Sequence, residues 1–268
     1  MIGRLVGQSV AAMRDAIARL LVKTGLTPNA ISLAGMVLTA AAGVCYAVSC
    51  PRRPAWSLDP AAPANAYLLL AFGLLILSSA CDMLDGAVAR LANRKTAFGA
   101  FLDSTLDRFS DFAVYAGIAV FYARGPQANV TFVLLSMTAF LNAVMISYTR
   151  ARAERVIGSC AVGYWQRGER SASILIAAAA HNIPAMVVQH ACLPLLTVLR
   201  RVFYTKAVIE GRNPIVDPRK GGWWLKVRIW RWPRMTIPYD VATAVNIAWL
   251  IFARLDAGEL DLIRRWLM

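Results

Sequence analysis

Long uncharged apolar runs alternate along the chain with short segments where charge is concentrated. Ala30 to Val48 and Val130 to Ile146 carry no charged side chain, and Ala66 to Cys81 is a third such run that stops at Asp82. As helices, the first two nearly span the ~30 Å hydrocarbon layer of a bilayer. The pattern predicts a helix to about Val48, opened by Thr27-Pro28-Asn29: a capping residue, then proline where its missing N–H costs nothing. Further helices are expected from Ala66 past Arg90, from about Gly99 to Ala123, and from Val130 to Arg152. Ser171 to Pro184 and Pro184 to Leu199 give two more, divided near His181-Asn182-Ile183-Pro184. The proline-rich stretch from Cys50 to Asn65 reads as an outside loop.

The flanks differ from this core. Ile2, Leu5, Val6, Val10, Met13, Ile17, Leu20 and Leu21 recur at helical spacing beside basic residues, the pattern of a helix lying in the membrane interface rather than of a cleaved signal. Beyond Tyr204, Trp223, Trp224, Trp230 and Trp232 interleave with Lys226, Arg228, Arg231 and Arg234. Next to a bilayer such a mixture anchors at the headgroups; binding of single-stranded nucleic acid is the sharper alternative. Val241 to Ala253 is short for a span and closely flanked by Asp240 and Arg254. The chain therefore reads as an all-α integral membrane protein. Residues 1–26 form the interfacial amphipathic helix, 27–203 a domain of six transmembrane helices, and 204–268 a basic, aromatic, membrane-associated C-terminal extension.

Composition agrees: 58% of the residues are apolar, above the ~45–50% usual in soluble domains. The net charge of +14 would suit a nucleic-acid partner, but its distribution points elsewhere. With both termini and alternate loops cytoplasmic, only Arg52, Arg53 and Arg124 of the 29 basic residues fall outside. That asymmetry is the positive-inside rule; it places the chain in the cell inner membrane and leaves no role for nucleic acid. The five cysteines form no CxxC pair and read as small apolar residues.

The chemistry is concentrated in Cys81 to Arg108, CDMLDGAVARLANRKTAFGAFLDSTLDR. Asp82, Asp85, Asp103 and Asp107 stand at the cytoplasmic ends of two helices, with Asp111 one turn on. Spacings of three and four put each pair on one helix face. Four negative charges together repel unless cations are supplied, and all-oxygen ligands suit Mg²⁺ or Mn²⁺ rather than zinc. Gly86 and Ala89 leave room for a bulky ligand on the same face, Arg90 offers a forked donor to phosphate, and Gly99 would let its helix approach the preceding one. A cap, a solvated carboxylate or an intramembrane ion path explains one or two of these residues but not the set.

These residues form D-x2-D-G-x2-A-R-x8-G-x3-D-x3-D, and on that pattern the chain resembles the CDP-alcohol phosphatidyltransferases, with every fixed position present. Chance agreement at eight positions is on the order of one in a billion per start site at ordinary residue frequencies. The resemblance implies that 27–203 is the family's six-helix domain and that the reaction moves a phosphatidyl group from CDP-diacylglycerol to a polar alcohol. It implies that Asp82, Asp85 and Asp103 hold two Mg²⁺ or Mn²⁺ ions. Asp107 would lie close to the metals and act as general base for attack on the β-phosphorus. Asn29, Asp82, Gly86, Ala89 and Arg90 resemble the nucleotide contacts, and the family also implies a homodimer.

A second stretch bears on the acceptor: Ser147-Tyr148-Thr149-Arg150-Ala151-Arg152-Ala153-Glu154, then Val162-Gly163 and Arg167-Gly168-Glu169-Arg170. Arg150 and Arg152, with Arg200 or Arg201, could snorkel to headgroups or converge on an anionic acceptor, since a guanidinium fork suits a phosphate monoester. The stretch resembles the phosphatidylinositol phosphate synthase branch and its archaeal counterparts, which implies acceptor contacts from Arg150, Arg152, Arg170 and Arg201. Gln166 and Gly168 stand where that branch usually has Glu and Pro, so glycerol 3-phosphate is the competing acceptor. A carboxylate-lined ion-coupled transporter would commonly show inverted repeats, and one copy of the motif is present. An inactive lipid-binding relative would normally have lost an aspartate, and none is missing.

Overall fold

The computed structural model describes residues 2–50, 65–125, 128–212, 214–255, 257, 260 and 261, with side chains from Ala11 onward. The loop after Cys50, with Arg52 and Arg53, lies outside the described residues. The described residues form helices α1 (Ile2–Lys23), α2 (Pro28–Val48), α3 (Ala66–Leu91), α4 (Ala97–Ala123), α5 (Val130–Ile157), α6 (Arg167–Ala179), α7 (Ile183–Ile209), α8 (Trp223–Lys226) and α9 (Ile237–Phe252), and no strand.

Most helix starts follow from local chemistry. Thr27 Oγ1 accepts from Ala30 N at 3.3 Å, Asn65 Oδ1 from Tyr67 N at 3.0 Å, Thr96 Oγ1 from Gly99 N at 2.9 Å and Asn129 Oδ1 from Phe132 N at 3.1 Å. Each satisfies an N–H that its helix leaves without a partner. α6 starts at Arg167 rather than Ser171. The reason is a reciprocal cap: Glu169 Oε2 accepts from Gln166 N at 3.2 Å, which pulls the polar residues ahead of the apolar run into the helix. α5 and α7 also outrun their apolar cores, to Ile157 and Ile209.

Four helices, α2, α3, α5 and α7, are long and apolar enough to cross a membrane. Their outer faces expose Val44, Leu70, Leu77, Met137 and Leu141, while Tyr46, Leu68 and Phe132 are buried inside. Helices apolar on both faces suit a lipid surround. α4 is long but opens with Asp103, Asp107, Arg108 and Asp111. α6 has 13 residues, a length of ~20 Å against the ~30 Å hydrocarbon layer. The expected six spans are thus four by length and composition.

α2 packs between α3 and α4. At its crossing with α4 a Cβ on Gly117 would run into the Gly43 carbonyl, so both glycines permit backbone contact. Gly99, expected to bring its helix towards α3, instead lies against α2, where a Cβ would stand 3.4 Å from Asn29 Oδ1. Inside α7, Pro194 cannot donate to the carbonyl four residues back. Asn142 Nδ2 of α5 replaces that donor, at 3.1 Å from His190 O and 2.8 Å from Ala191 O. The buried His190 ring meets Tyr115 Oη at 2.7 Å through Nδ1 and Ser173 Oγ through Nε2. Ser173 Oγ also reaches Arg170 O at 2.9 Å, so the ring joins α4 and α6 to α7.

The C-terminal extension departs from expectation. α9 begins at Ile237, ahead of the apolar stretch read from Val241, and packs along α6. Near its start, Arg234 Nη2 and Tyr239 Oη each lie 2.6 Å from Glu169 Oε1 at the aspartate end of the bundle. At its finish, Asn182 Nδ2 donates to Leu250 O and Ala253 O, both at 2.9 Å, in the α6–α7 turn at the opposite end. Asn129, which caps α5, donates to Ala257 O there. The aspartates and α1 are therefore at one end of the bundle, and Ala257 and Asp261 are at the other. α9, with 16 residues, is short for a span, and so is its partner α6, with 13.

Candidate active site

The ends of α3, α5 and α7 and the starts of α2, α4 and α6 converge at the aspartate end. From Asp82, Asp85 and Asp103, one carboxylate oxygen each lies within 4.8 Å of the other two. Bonds of about 2.1 Å to a shared Mg²⁺ place oxygens at most about 4.2 Å apart, so a small tightening closes this set on an ion. An all-carboxylate donor set fits Mg²⁺ or Mn²⁺. Asp85 is buried, and its Oδ2 accepts from Ser32 Oγ of α2 at 2.5 Å, which fixes the carboxylate's orientation.

Asp107 stands outside this trio and faces α6. Its Oδ1 is 2.6 Å from Arg167 Nη2, and its Oδ2 is 3.4 Å from Arg108 Nη1. Arg167 reaches Asp82 Oδ1 with its other terminal nitrogen, at 2.8 Å. One guanidinium thus spans α3 and α4 and balances part of the charge that the four aspartates bring together. Arg167 and Ser32 were not among the residues singled out from sequence. A signal existed for Arg167, one turn ahead of Arg170 on one helix; nothing local marks Ser32.

The expected nucleotide contacts divide. Asn29, Gly86, Ala89 and Arg90 line one cavity of about 240 Å³ with Asp85 and Asp103. A Cβ on Gly86 would meet only Arg90 Nη1, at 3.5 Å, so packing does not require this glycine and the space beside it is open to a ligand. Arg94 and Lys95 add positive charge to the same wall. Asp82 faces a separate cavity of about 510 Å³, with Arg167 and Asp111.

The four acceptor arginines also separate. Arg170 is 2% exposed; its Nη2 pairs with Asp111 Oδ2 at 3.1 Å, while its Nε and Nη1 are buried without a partner. Arg201 is equally buried, but its Nε donates to Val162 O at 3.0 Å and its Nη1 to Ile146 O, so it ties α7 to α5 and to the loop before α6. Arg150 pairs with Glu154 at 2.8 Å along its own helix, in an exposed position, and Arg152 is exposed as well. The structure thus brings Arg170, and the unanticipated Arg167, to the aspartates, and leaves Arg150 and Arg152 turned to the surface.

A helical bundle with a carboxylate trio beside an open, basic-walled cavity is the architecture of a metal-assisted phosphate-transfer enzyme. The profile of the CDP-alcohol phosphatidyltransferases matches residues 25–210, and the chain belongs to that family. It is 34% identical to an archaetidylinositol phosphate synthase of Methanothermobacter thermautotrophicus over 188 residues, 68% of this chain and 84% of the relative. It is 32% identical to a phosphatidylinositol phosphate synthase of Cutibacterium acnes over 168 residues, 62% of this chain and 72% of that one. Among solved structures, the Mycobacterium tuberculosis phosphatidylinositol phosphate synthase with CDP-DAG bound superposes with a TM-score of 0.60 at 25% identity, covering 72% of this chain and 94% of that one. The same mycobacterial enzyme has been solved in complex with manganese and citrate.

Proposed function

We propose that this enzyme transfers the phosphatidyl group of CDP-diacylglycerol to inositol phosphate and releases CMP. Residues 27–203 act as the six-helix catalytic domain, with the aspartate end at the cytoplasmic surface, where the soluble acceptor is found and CMP is released. The observation that carries the anionic acceptor is Arg170: a guanidinium buried beside Asp111, with two donor nitrogens unmatched. Burying donors without acceptors costs several kcal/mol, and a phosphate monoester removes that cost. The synthases that the chain resembles carry inositol phosphate in their names, which favours this acceptor over glycerol 3-phosphate.

Asp82, Asp85 and Asp103 would hold Mg²⁺ or Mn²⁺. When bound, the ions neutralise the pyrophosphate and stabilise the departing CMP. Asn29, Gly86, Ala89 and Arg90 seat the nucleotide in their shared cavity. Arg170 and Arg167 hold the acceptor phosphate on the α6 side. Asp107 takes the proton of the acceptor hydroxyl at a carboxylate oxygen as that hydroxyl's oxygen bonds to the β-phosphorus and the bond to CMP breaks.

The test is CMP release from CDP-diacylglycerol with inositol phosphate, glycerol 3-phosphate, serine or free inositol as acceptor, with and without Mg²⁺. Turnover is expected only with metal and is fastest with inositol phosphate. Faster turnover with glycerol 3-phosphate would transfer the assignment to that acceptor. Efficient use of serine or free inositol would overturn the role of Arg170.

A further inference from the structure

Beyond the domain matched by the family, the extension and α7 enclose two adjoining cavities, of about 310 and 200 Å³. Leu196, Arg200 and Trp230 line both. Phe203 and Arg231 border the first, and Val245 the second. Leu196 and Phe203 of α7 and Val245 of α9 are each at least half exposed (50%, 66% and 61%), so both cavities open on exposed apolar surface, the kind that a bilayer covers.

Arg200 and Arg231 are electrostatic neighbours, yet neither is paired with a carboxylate among the described residues. Burial, and then the adjacent Arg228, hold the Arg231 guanidinium below the usual arginine range. Two like charges against an apolar wall need an anion between them. The wall specifies which anion. A soluble phosphate leaves the apolar surface bare, and a nucleic acid does not reach the flank of a membrane helix. A lipid phosphate with its acyl chain meets both requirements, and Trp230 supplies an indole at headgroup depth.

We propose that Arg200 and Arg231 bind the phosphate of an anionic glycerophospholipid whose acyl chain lies along Leu196, Phe203 and Val245, and that this lipid pins the extension to α7. The same cavities are bordered by Val162, Gly163 and Trp165, the segment leading to Arg167, so the bound lipid also steadies the entry to α6. Arg200 and Arg201, indistinguishable as neighbours in sequence, then have different partners: Arg200 the lipid, Arg201 the backbone of Val162 and Ile146.

The full chain would be placed in nanodiscs of phosphatidylcholine with and without phosphatidylglycerol, and lipid retention measured by native mass spectrometry. Wild type and R200K/R231K are expected to retain phosphatidylglycerol in preference to phosphatidylcholine, and R200Q/R231Q to lose roughly tenfold in that preference, the loss of one charged hydrogen bond or more. Millimolar glycerol phosphate should not displace the lipid. Equal preference in R200Q/R231Q, or displacement by the soluble headgroup, overturns the proposal. Hydrogen exchange across 223–232 of the unmutated protein gives an independent reading: phosphatidylglycerol should protect this segment relative to pure phosphatidylcholine, and identical exchange in the two lipids also overturns it.

Discussion

The two halves of the candidate site use charge differently. On the α3–α4 side, Asp82, Asp85 and Asp103 crowd together beside an open cavity, and Gly86 borders space that no described residue fills. On the α5–α7 side the arginines are mostly committed to the protein itself: Arg201 to backbone carbonyls, Arg150 to Glu154, and one nitrogen of Arg170 to Asp111. The first half is built around what is to be bound. The second commits its arginines to holding helices together and leaves only Arg170 Nε and Nη1 unmatched among them.

Asp107→Asn should separate the halves most sharply. Turnover is expected to fall about 10²–10⁴-fold, the usual contribution of a general base, with binding of CDP-diacylglycerol retained. Near-wild-type CMP release from a correctly folded variant would remove Asp107 from the proton transfer. Arg170→Lys keeps the charge and loses the fork; KM for the acceptor should rise ~10–100-fold while KM for CDP-diacylglycerol stays constant. Equal change in both constants would show that Arg170 supports the whole bundle rather than the acceptor.

Gly86→Ala tests the open side. Its Cβ meets no backbone, so melting in detergent should be unchanged, while KM for CDP-diacylglycerol rises roughly 5- to 50-fold as the methyl enters the cavity. Gly117→Ala is the reverse: its Cβ strikes the Gly43 backbone, and stability should fall by ~1–3 kcal/mol or more, read as a lower melting temperature. The smallest effect is expected from Arg234→Gln. The pair with Glu169 is largely exposed on the arginine side, so acceptor kcat/KM should drop only about 2–5-fold. No change at all would mean that Tyr239 alone holds Glu169.

The aspartate half was legible because its information is local. Asp82 to Asp107 spans one helix end, one turn and one helix start, so spacing alone sets the face. The start of α2 was equally legible, since Thr27 and Pro28 act within one turn. What the sequence did not reveal depends on pairs far apart in the chain. Arg167 meets Asp82 across 85 positions and Ser32 meets Asp85 across 53; only Arg167 carries a local mark, its place one turn ahead of Arg170, and that mark does not name its partner. The entry to α6 was misplaced because a reciprocal cap, not apolar periodicity, sets it. α9 was discounted on length, when the deciding quantity was the length of the helix it packs against.

The closure of the α6–α7 turn by α9 has a consequence in time. Asn182 is fully buried, and the carbonyls that its amide nitrogen reaches lie 68 and 71 residues further along the chain. At about 5–20 residues per second, a ribosome needs on the order of 3–14 s to deliver the first of them. Once α7 is complete at Ile209, the catalytic helices are all made, while one wall of their bundle still waits for its last partner.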